Sequence, residues 1–258
     1  MNKPRILLWD LETSHNQVLS FGLWKQDIPF KNIQIERHIY CVSYQWYGEK
    51  KIHSISILDD KKRFKKNIHD DYYVVKKFKE VIEQADAQVA HYGDKFDTPM
   101  LNARIIANKL NPLPKIISLD TKKIASKYFR FNSNKLDYLA NFLGHNGKLT
   151  NHPNLWLDCF NGNIKALQQM VKYNRQDIRV LYFIFEKLKP FIQNNPLNSA
   201  LFYNKNKNII CPNCGSSNLM KKGFSYTRVN KFQRYVCKEC NAWCNERTSQ
   251  KINKIKTK

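Results

Sequence analysis

Two groups of side chains in this sequence have the types and spacing to do chemistry, one of carboxylates and one of thiols. Asp10 and Glu12 flank Leu11 just after Arg5-Ile-Leu-Leu-Trp9, an apolar run that reads as a buried strand. Residues i and i+2 of a strand point to one side, so the two carboxylates share a face while Leu11 looks the other way. Two such groups ~5 Å apart repel by ~3 kcal/mol at an effective dielectric near 20, and a cation between them relieves that repulsion. Hard oxygen donors of this kind suit magnesium or manganese.

Two further acids stand on predicted helices. Asp97 follows a short strand at Gln88–Ala90 and the loop His91-Tyr92-Gly93-Asp94-Lys95-Phe96, at the start of a helix over Thr98–Asn108. An aspartate in that place also reads as an ordinary N-cap. Tyr173 and Asp177 are four residues apart in a long helix predicted from about Ile164 to Lys189 and stopped by Pro190, so hydroxyl and carboxylate project to one side. A buried tyrosine beside a surface aspartate has the same spacing. Asp120 and Asp137 read as helix caps.

The thiols form two pairs, Cys211-Pro-Asn-Cys214 and Cys237-Lys-Glu-Cys240, with a 22-residue insert. Four thiolates so spaced fit one tetrahedral zinc ion, and the insert fits the hairpin of a zinc ribbon. Cys244 lies near enough to replace Cys240 as fourth ligand, although the paired spacing favours Cys240. Cys41 and Cys159 read as small buried thiols. Around the knuckles stand Lys221, Lys222, Arg228, Lys231 and Arg234, interleaved with Phe224, Tyr226, Phe232, Tyr235 and Trp243. Cations neutralise phosphates and exposed rings stack on bases, which is how single strands are gripped with little sequence preference. The same rings could equally form the ribbon's small core, and zinc ribbons also bind proteins.

The whole chain is in keeping with that partner. Its 258 residues carry 44 Lys or Arg against 21 acids, a net charge of +23 that suits a polyphosphate. An apolar fraction of 42% is enough for a real core. The apolar residues before Asp10 are too few for a secretory leader, and no apolar run approaches the ~20 residues of a membrane span. The expectation is a cytoplasmic protein without membrane association.

The elements that must position these residues are strands first, then alternating strands and helices. Strands are predicted at Ile39–Tyr47, Ile52–Leu58 and Ile116–Leu119. Helices are predicted from Tyr72, with Val75, Phe78, Val81 and Ile82 on one face, and over Thr121–Tyr128 and Lys135–Leu143. This order predicts an α/β mixed sheet flanked by helices. Residues 1–192 form the larger domain, 193–208 an Asn- and Lys-rich linker, 209–248 the ribbon and 249–258 a basic tail. From Asn204 onward, 13 Lys or Arg face two acids, a surplus of 11.

Asp10-x-Glu12, Phe96-Asp97 and Tyr173-x-x-x-Asp177, in this order, resemble the three exonuclease motifs of the DnaQ-like, ribonuclease H-like superfamily. The tyrosine resembles that of its DEDDy branch. The resemblance covers about residues 5–190 and implies a ribonuclease H-like 3′→5′ exonuclease releasing mononucleotides from single-stranded DNA or from 3′ ends, with RNA also open. It further implies that Asp10, Glu12, Asp97 and Asp177 hold two magnesium or manganese ions ~4 Å apart, which activate water and stabilise the leaving 3′ oxygen. Tyr173 would orient or help deprotonate that water, and Thr13 would contact the terminal nucleotide. One departure stands out: the family usually carries an asparagine a few residues before the second-motif aspartate, and this chain has Tyr92 there. That bears on positioning of the second acid or of substrate, not on the ligands themselves. Two other readings remain open at this point: a ribonuclease H-like structure-specific endonuclease or resolvase, and a catalytically silent nucleic-acid-binding protein.

Overall fold

Ile6–Thr13 forms β1, whose Leu7, Leu8 and Trp9 are fully buried because strands cover both of its edges and helices both of its faces. The computed structural model describes residues 4–145, 153–192, 209–246 and 248–249. The linker expected at 193–208 lies outside the described residues, as does the tail beyond Ser249. The chain divides into two compact units, one over Arg5–Phe185 and a second that takes in the residues from Glu186 on.

In the first unit a short ribbon of β2 (Gln17–Val18) and β3 (Ile33–Ile35) follows β1, then β4 (Ile39–Trp46) and β5 (Ile52–Ser56). The helices α1 (Lys61–Lys66) and α2 (Tyr72–Ile82) lead to β6 (Ala87–Ala90), α3 (Asp97–Ala107) and β7 (Ile117–Asp120). Four helices close the unit: α4 (Thr121–Tyr128), α5 (Leu136–Phe142), α6 (Leu155–Phe160) and α7 (Ile164–Leu188). The main sheet has the order β5-β4-β1-β6-β7, with β4 antiparallel to both β1 and β5, and β6 parallel to both β1 and β7. It is a mixed sheet flanked by helices, as the order of elements predicts.

Alternation along β1 sends its two sets of side chains to opposite faces. Trp9 meets Phe78 of α2 with ring centroids 4.9 Å apart, whereas Asp10 meets Asn174 of α7, so α2 and α7 lie on opposite faces of the sheet. The Trp9 indole N–H donates to Gln88 Oε1 at 3.0 Å, which satisfies it in the core. On α2 the buried Val74, Phe78 and Ile82 recur every four residues, and on α7 Met170, Ile178 and Leu181 continue a comparable stripe.

Asp71 is a structural anchor that the sequence does not advertise. Only 1% exposed, it accepts both Nε (2.7 Å) and Nη2 (3.0 Å) of Arg104, Nδ2 of Asn108 (3.0 Å) and the backbone N–H of Ile39 (3.0 Å). It thereby ties the start of β4 to the start of α2 and the end of α3.

The elements depart from expectation at a few points. The strand predicted over Ile52–Leu58 stops at Ser56, because the Ser56 hydroxyl accepts Leu58 N–H while Asp59 accepts Ser56 N–H, a capping box that starts a 3-10 turn. β2, β3, α1 and α6 are too short to leave a readable period. Asp120 caps α4 as expected, accepting Lys122 N–H and Lys123 N–H. Asp137 is not the cap of α5: that position is Lys135, and Asp137 lies in the first turn.

The second unit contains a three-stranded antiparallel sheet of β8 (Leu219–Tyr226), β9 (Lys231–Cys237) and β10 (Trp243–Asn245), in the order β10-β9-β8. Its core is small: Cys211, Cys237 and Ala242, with Leu219 and Cys240 packed against them.

Candidate active site

Asp10 and Glu12 both lie within β1, and β1 is paired through Glu12 to Cys41 of β4 before its register shifts at Thr13. The alternation of the strand puts both carboxylates on the face toward α7. There Asp177 joins them: ligand oxygens of Asp10, Glu12 and Asp177 lie within 4.8 Å of one another. Asp97, the fourth acid expected there, is not in this group of three. It is the first residue of α3, but its carboxylate does not cap that helix; Oδ1 accepts the Leu11 N–H at 3.3 Å, between the two acids of β1. A helix N-terminus thus meets the middle of the motif strand.

The loop carrying Asp97 is tightly determined. Tyr92 has φ +68°, a left-handed conformation that a bulky residue adopts only when its surroundings enforce it. Asp120 enforces it by accepting Tyr92 N–H at 3.0 Å and Asp94 N–H at 3.3 Å, and Lys122 Nζ lies 3.7 Å over the Tyr92 ring. At Gly93 an added Cβ would lie 2.4 Å from Ala90 Cβ, so no other residue fits without movement. His91 fastens the loop further, with Nδ1 2.9 Å from Thr121 Oγ1 and Nε2 3.0 Å from the Asn134 carbonyl oxygen.

The electrostatics of the four acids point one way. Burial, then Asp97, Glu12 and Asp177, raise the Asp10 carboxyl well above the ordinary range. Burial, then Asp177 and Asp97, do the same to Glu12. Burial pushes Asp97 and Asp177 up to about 7, with Asp137 adding to the shift at Asp177. Among the described residues no lysine or arginine ion pair reaches any of the four. Four mutually repelling oxygen donors, Asp97 buried and the other three partly so, without a protein cation fit hard divalent ions such as magnesium or manganese.

Tyr173, half-buried on α7, donates its O–H to Asp177 one turn on and packs edge-on against Trp156, with ring centroids 5.9 Å apart. Burial, then Asp177, raises its hydroxyl far above the ordinary tyrosine range, so it is a proton donor at neutral pH. Thr13 lies at the end of β1, past the register shift.

Asn174 is a site residue that the sequence reading passes over. Wholly buried, it donates Nδ2–H to Asp10 Oδ2 at 2.7 Å, and this bond favours the ionised carboxylate against the other influences on Asp10. Its signal was present: Met170, Asn174 and Ile178 are spaced by four on the buried stripe of α7, and a polar amide in such a stripe needs a partner.

In the second unit the sulfurs of Cys211, Cys214, Cys237 and Cys240 lie within 4.8 Å of one another, and Cys244 is outside this group. The pairs Cys211–Cys240 and Cys214–Cys237 are each 3.6 Å apart, close to the ~3.8 Å that tetrahedral geometry with ~2.3 Å metal–sulfur bonds requires. The donor set fits zinc. Of the basic residues singled out there, Lys221, Lys222 and Arg228 are exposed. Lys231 and Arg234 are partly covered and lie over rings, Lys231 Nζ 3.7 Å from the Phe224 centroid and the Arg234 guanidinium 4.8 Å from that of Trp243. Tyr235 is buried, whereas Tyr226 and Trp243 are exposed, so the rings are not all available to a partner. Among the described residues no helix is long and apolar enough to cross a membrane.

Comparison with known proteins agrees with this architecture. A sequence profile of the RNase H superfamily matches residues 33–189, more than half of the chain, beginning after β1. A search of curated proteins finds no match. Among solved structures, the chain is similar to the family B DNA polymerase from the hyperthermophilic archaeon Pyrobaculum calidifontis, with a TM-score of 0.54 and 16% identity over 72% of this chain. The matched part spans only 25% of that polymerase, and at this identity the likeness is one of fold. Sheet order, helix placement and the profile match together place the chain in the RNase H superfamily.

Proposed function

We propose that residues 1–192 are a metal-dependent 3′→5′ exonuclease domain of the DEDDy type, joined by a linker to a zinc ribbon at 209–248 that grips nucleic acid. Membership of the RNase H superfamily supports a nuclease. The observation that carries the finer reading is the meeting of Asp10, Glu12 and Asp177 oxygens within 4.8 Å, with Tyr173 donating to Asp177 and Asp97 bonded between the acids of β1.

Asp10, Glu12, Asp97 and Asp177 hold two magnesium or manganese ions, which when bound supply activation of water and stabilisation of the leaving 3′ oxygen. The chain's own residues do the positioning. Asn174 fixes the rotamer of Asp10, and the Leu11 N–H fixes that of Asp97. Tyr173, whose single O–H is given to Asp177, orients the attacking water through its hydroxyl oxygen. Thr13 contacts the terminal nucleotide. Cys211, Cys214, Cys237 and Cys240 hold one zinc ion, and Lys221, Lys222, Arg228, Lys231 and Arg234 serve phosphates.

The test is digestion of end-labelled single-stranded oligonucleotides with magnesium, by the full chain and by its Asp10→Ala variant. Stepwise release of mononucleotides from the 3′ end, abolished in the variant, is the expected result. Discrete internal cuts would make the protein an endonuclease, and binding without product would make it a silent binder.

A further inference from the structure

Between β2 and β3 the chain makes a closed loop that turns its large apolar side chains outward. Leu19 N–H donates to the Asn32 carbonyl at 2.9 Å and Asn32 Nδ2–H to the Leu19 carbonyl at 3.2 Å, which seals the neck. Inside, Ser20 Oγ donates to the Gly22 carbonyl at 2.7 Å, Gln26 Nε2 to the Trp24 carbonyl at 2.7 Å, and Lys25 takes a left-handed φ of +48°. The backbone is therefore shaped by its own polar groups and not by a core. Phe21 is fully exposed, and Trp24 and Phe30 are 85% and 87% exposed, with Leu19 and Leu23 beside them. A contiguous set of exposed large apolar residues marks an interaction surface.

The position and chemistry of the loop select its occupant. Only six residues separate Glu12 from Leu19, and their path is pinned: Ser14 N–H donates to the His38 carbonyl at 2.9 Å, Ser14 Oγ lies 3.0 Å from His38 Nδ1, and Arg37 N–H donates to Asn16 Oδ1 at 2.8 Å. The loop is thus held at the end of the strand that carries the acids. Two of its three rings are followed directly by a cation, Trp24 by Lys25 and Phe30 by Lys31, and Asp27 is the single acid of the loop. Flat rings flanked by ammonium groups match stacked bases and their phosphates.

We propose that the Leu19–Phe30 loop is a stacking platform for unpaired bases of the strand whose 3′ end enters the acid cluster; this rests on the reading of that cluster as an exonuclease site. Rings on a pinned loop hold the strand beyond its terminal nucleotide without reading its sequence.

The test uses the full chain with its zinc and no added magnesium or manganese, so that binding is read apart from cleavage. Single-stranded DNA oligonucleotides carry 2-aminopurine at successive positions from the 3′ end, and its fluorescence is quenched by stacking. The wild-type protein is expected to quench a contiguous set of positions. In the Phe21→Ser/Trp24→Ser/Phe30→Ser variant that quenching is lost and affinity falls by about tenfold or more. Trp24→Phe, which keeps a ring, is expected to retain most of both. All three side chains are exposed, so the triple variant keeps its fold. Equal quenching and affinity in the wild-type and triple-variant proteins would overturn the platform and point to a protein partner for the loop. If magnesium yields no stepwise product but the quenching pattern holds, the exonuclease reading fails while the platform stands.

Discussion

Asn174 and Asp10 stand 164 positions apart in the chain and are joined by a 2.7 Å hydrogen bond between a wholly buried amide and a carboxylate of the acid cluster. Among the described residues the amide is the group near Asp10 that favours its ionised form. Groups that orient a ligand carboxylate are worth 10–100-fold in metal affinity or activity. Asn174→Ala is therefore expected to lower kcat/KM by about 10–100-fold and to raise the magnesium concentration needed for half-maximal rate. The second readout separates positioning from packing. A variant that melts earlier but keeps the same magnesium dependence would reduce Asn174 to a core residue.

Tyr173→Phe keeps the ring against Trp156 and removes only the O–H that Asp177 accepts. Its rate is expected to fall by ~10²–10⁴-fold while magnesium binding persists. Because the hydroxyl stays protonated throughout the neutral range, the shape of the rate–pH profile should be the same in both proteins. A limb that disappears with the hydroxyl would make Tyr173 a titrating base.

The raised carboxyls predict how metal-free protein responds to pH. Asp97 and Asp177 titrate at about 7 in the folded chain, and ordinary aspartate at ~3.9. Between those values the folded state holds protons that the unfolded chain has released, so this contribution to stability is fully present below ~4 and is lost as pH rises through 7. His38 and His91, lowered to about 4 by burial, act in the opposite sense at acid pH. Comparing melting with and without magnesium isolates the acids: the gain in Tm should be small near pH ~5, where cations compete with protons, and large near pH ~8. A gain independent of pH would mean that magnesium binds elsewhere.

Asp71 tests the architecture apart from the chemistry. Removing one partner of a buried, multiply bonded ion pair costs about 3–5 kcal/mol, so Asp71→Ala should lower unfolding free energy by that order in a denaturant titration. A loss below ~1 kcal/mol would mean that water replaces the carboxylate between Arg104, Asn108 and Ile39.

Much of this was legible because the relevant signals are local. The i, i+2 acids of β1, the apolar period of α2 and the paired cysteines each express themselves within a few residues. Asn174 and Asp71 were hidden because their partners lie far along the chain, at Asp10 and Arg104. The place of Asp97 was half visible: its spacing allowed a cap, and only the approach of α3 to Leu11 decides that its carboxylate turns to β1. The loop after β2 gave no warning, since exposed and buried aromatic residues look alike in a sequence.

The ribbon yields the last prediction, because its cations divide into two kinds. Lys231 and Arg234 lie over Phe224 and Trp243, so replacing them disturbs packing as well as charge. Lys221, Lys222 and Arg228 are exposed, and replacing them leaves the four clustered cysteines untouched. Neutralising one contact to a single-strand phosphate flattens the plot of log affinity against log salt by roughly 0.7. The full chain bearing Lys221→Gln, Lys222→Gln and Arg228→Gln should thus bind single-stranded oligonucleotides with a slope shallower by up to about 2, with magnesium withheld and zinc content unchanged. Removing zinc should have the larger effect: the ribbon core is little more than its cysteines, Leu219 and Ala242, so chelation should unfold the unit and disperse all five cations at once. If neither change alters affinity or slope, the exposed Tyr226, Val229 and Trp243 of the ribbon become the better clue, and they fit the apolar centre of a protein interface.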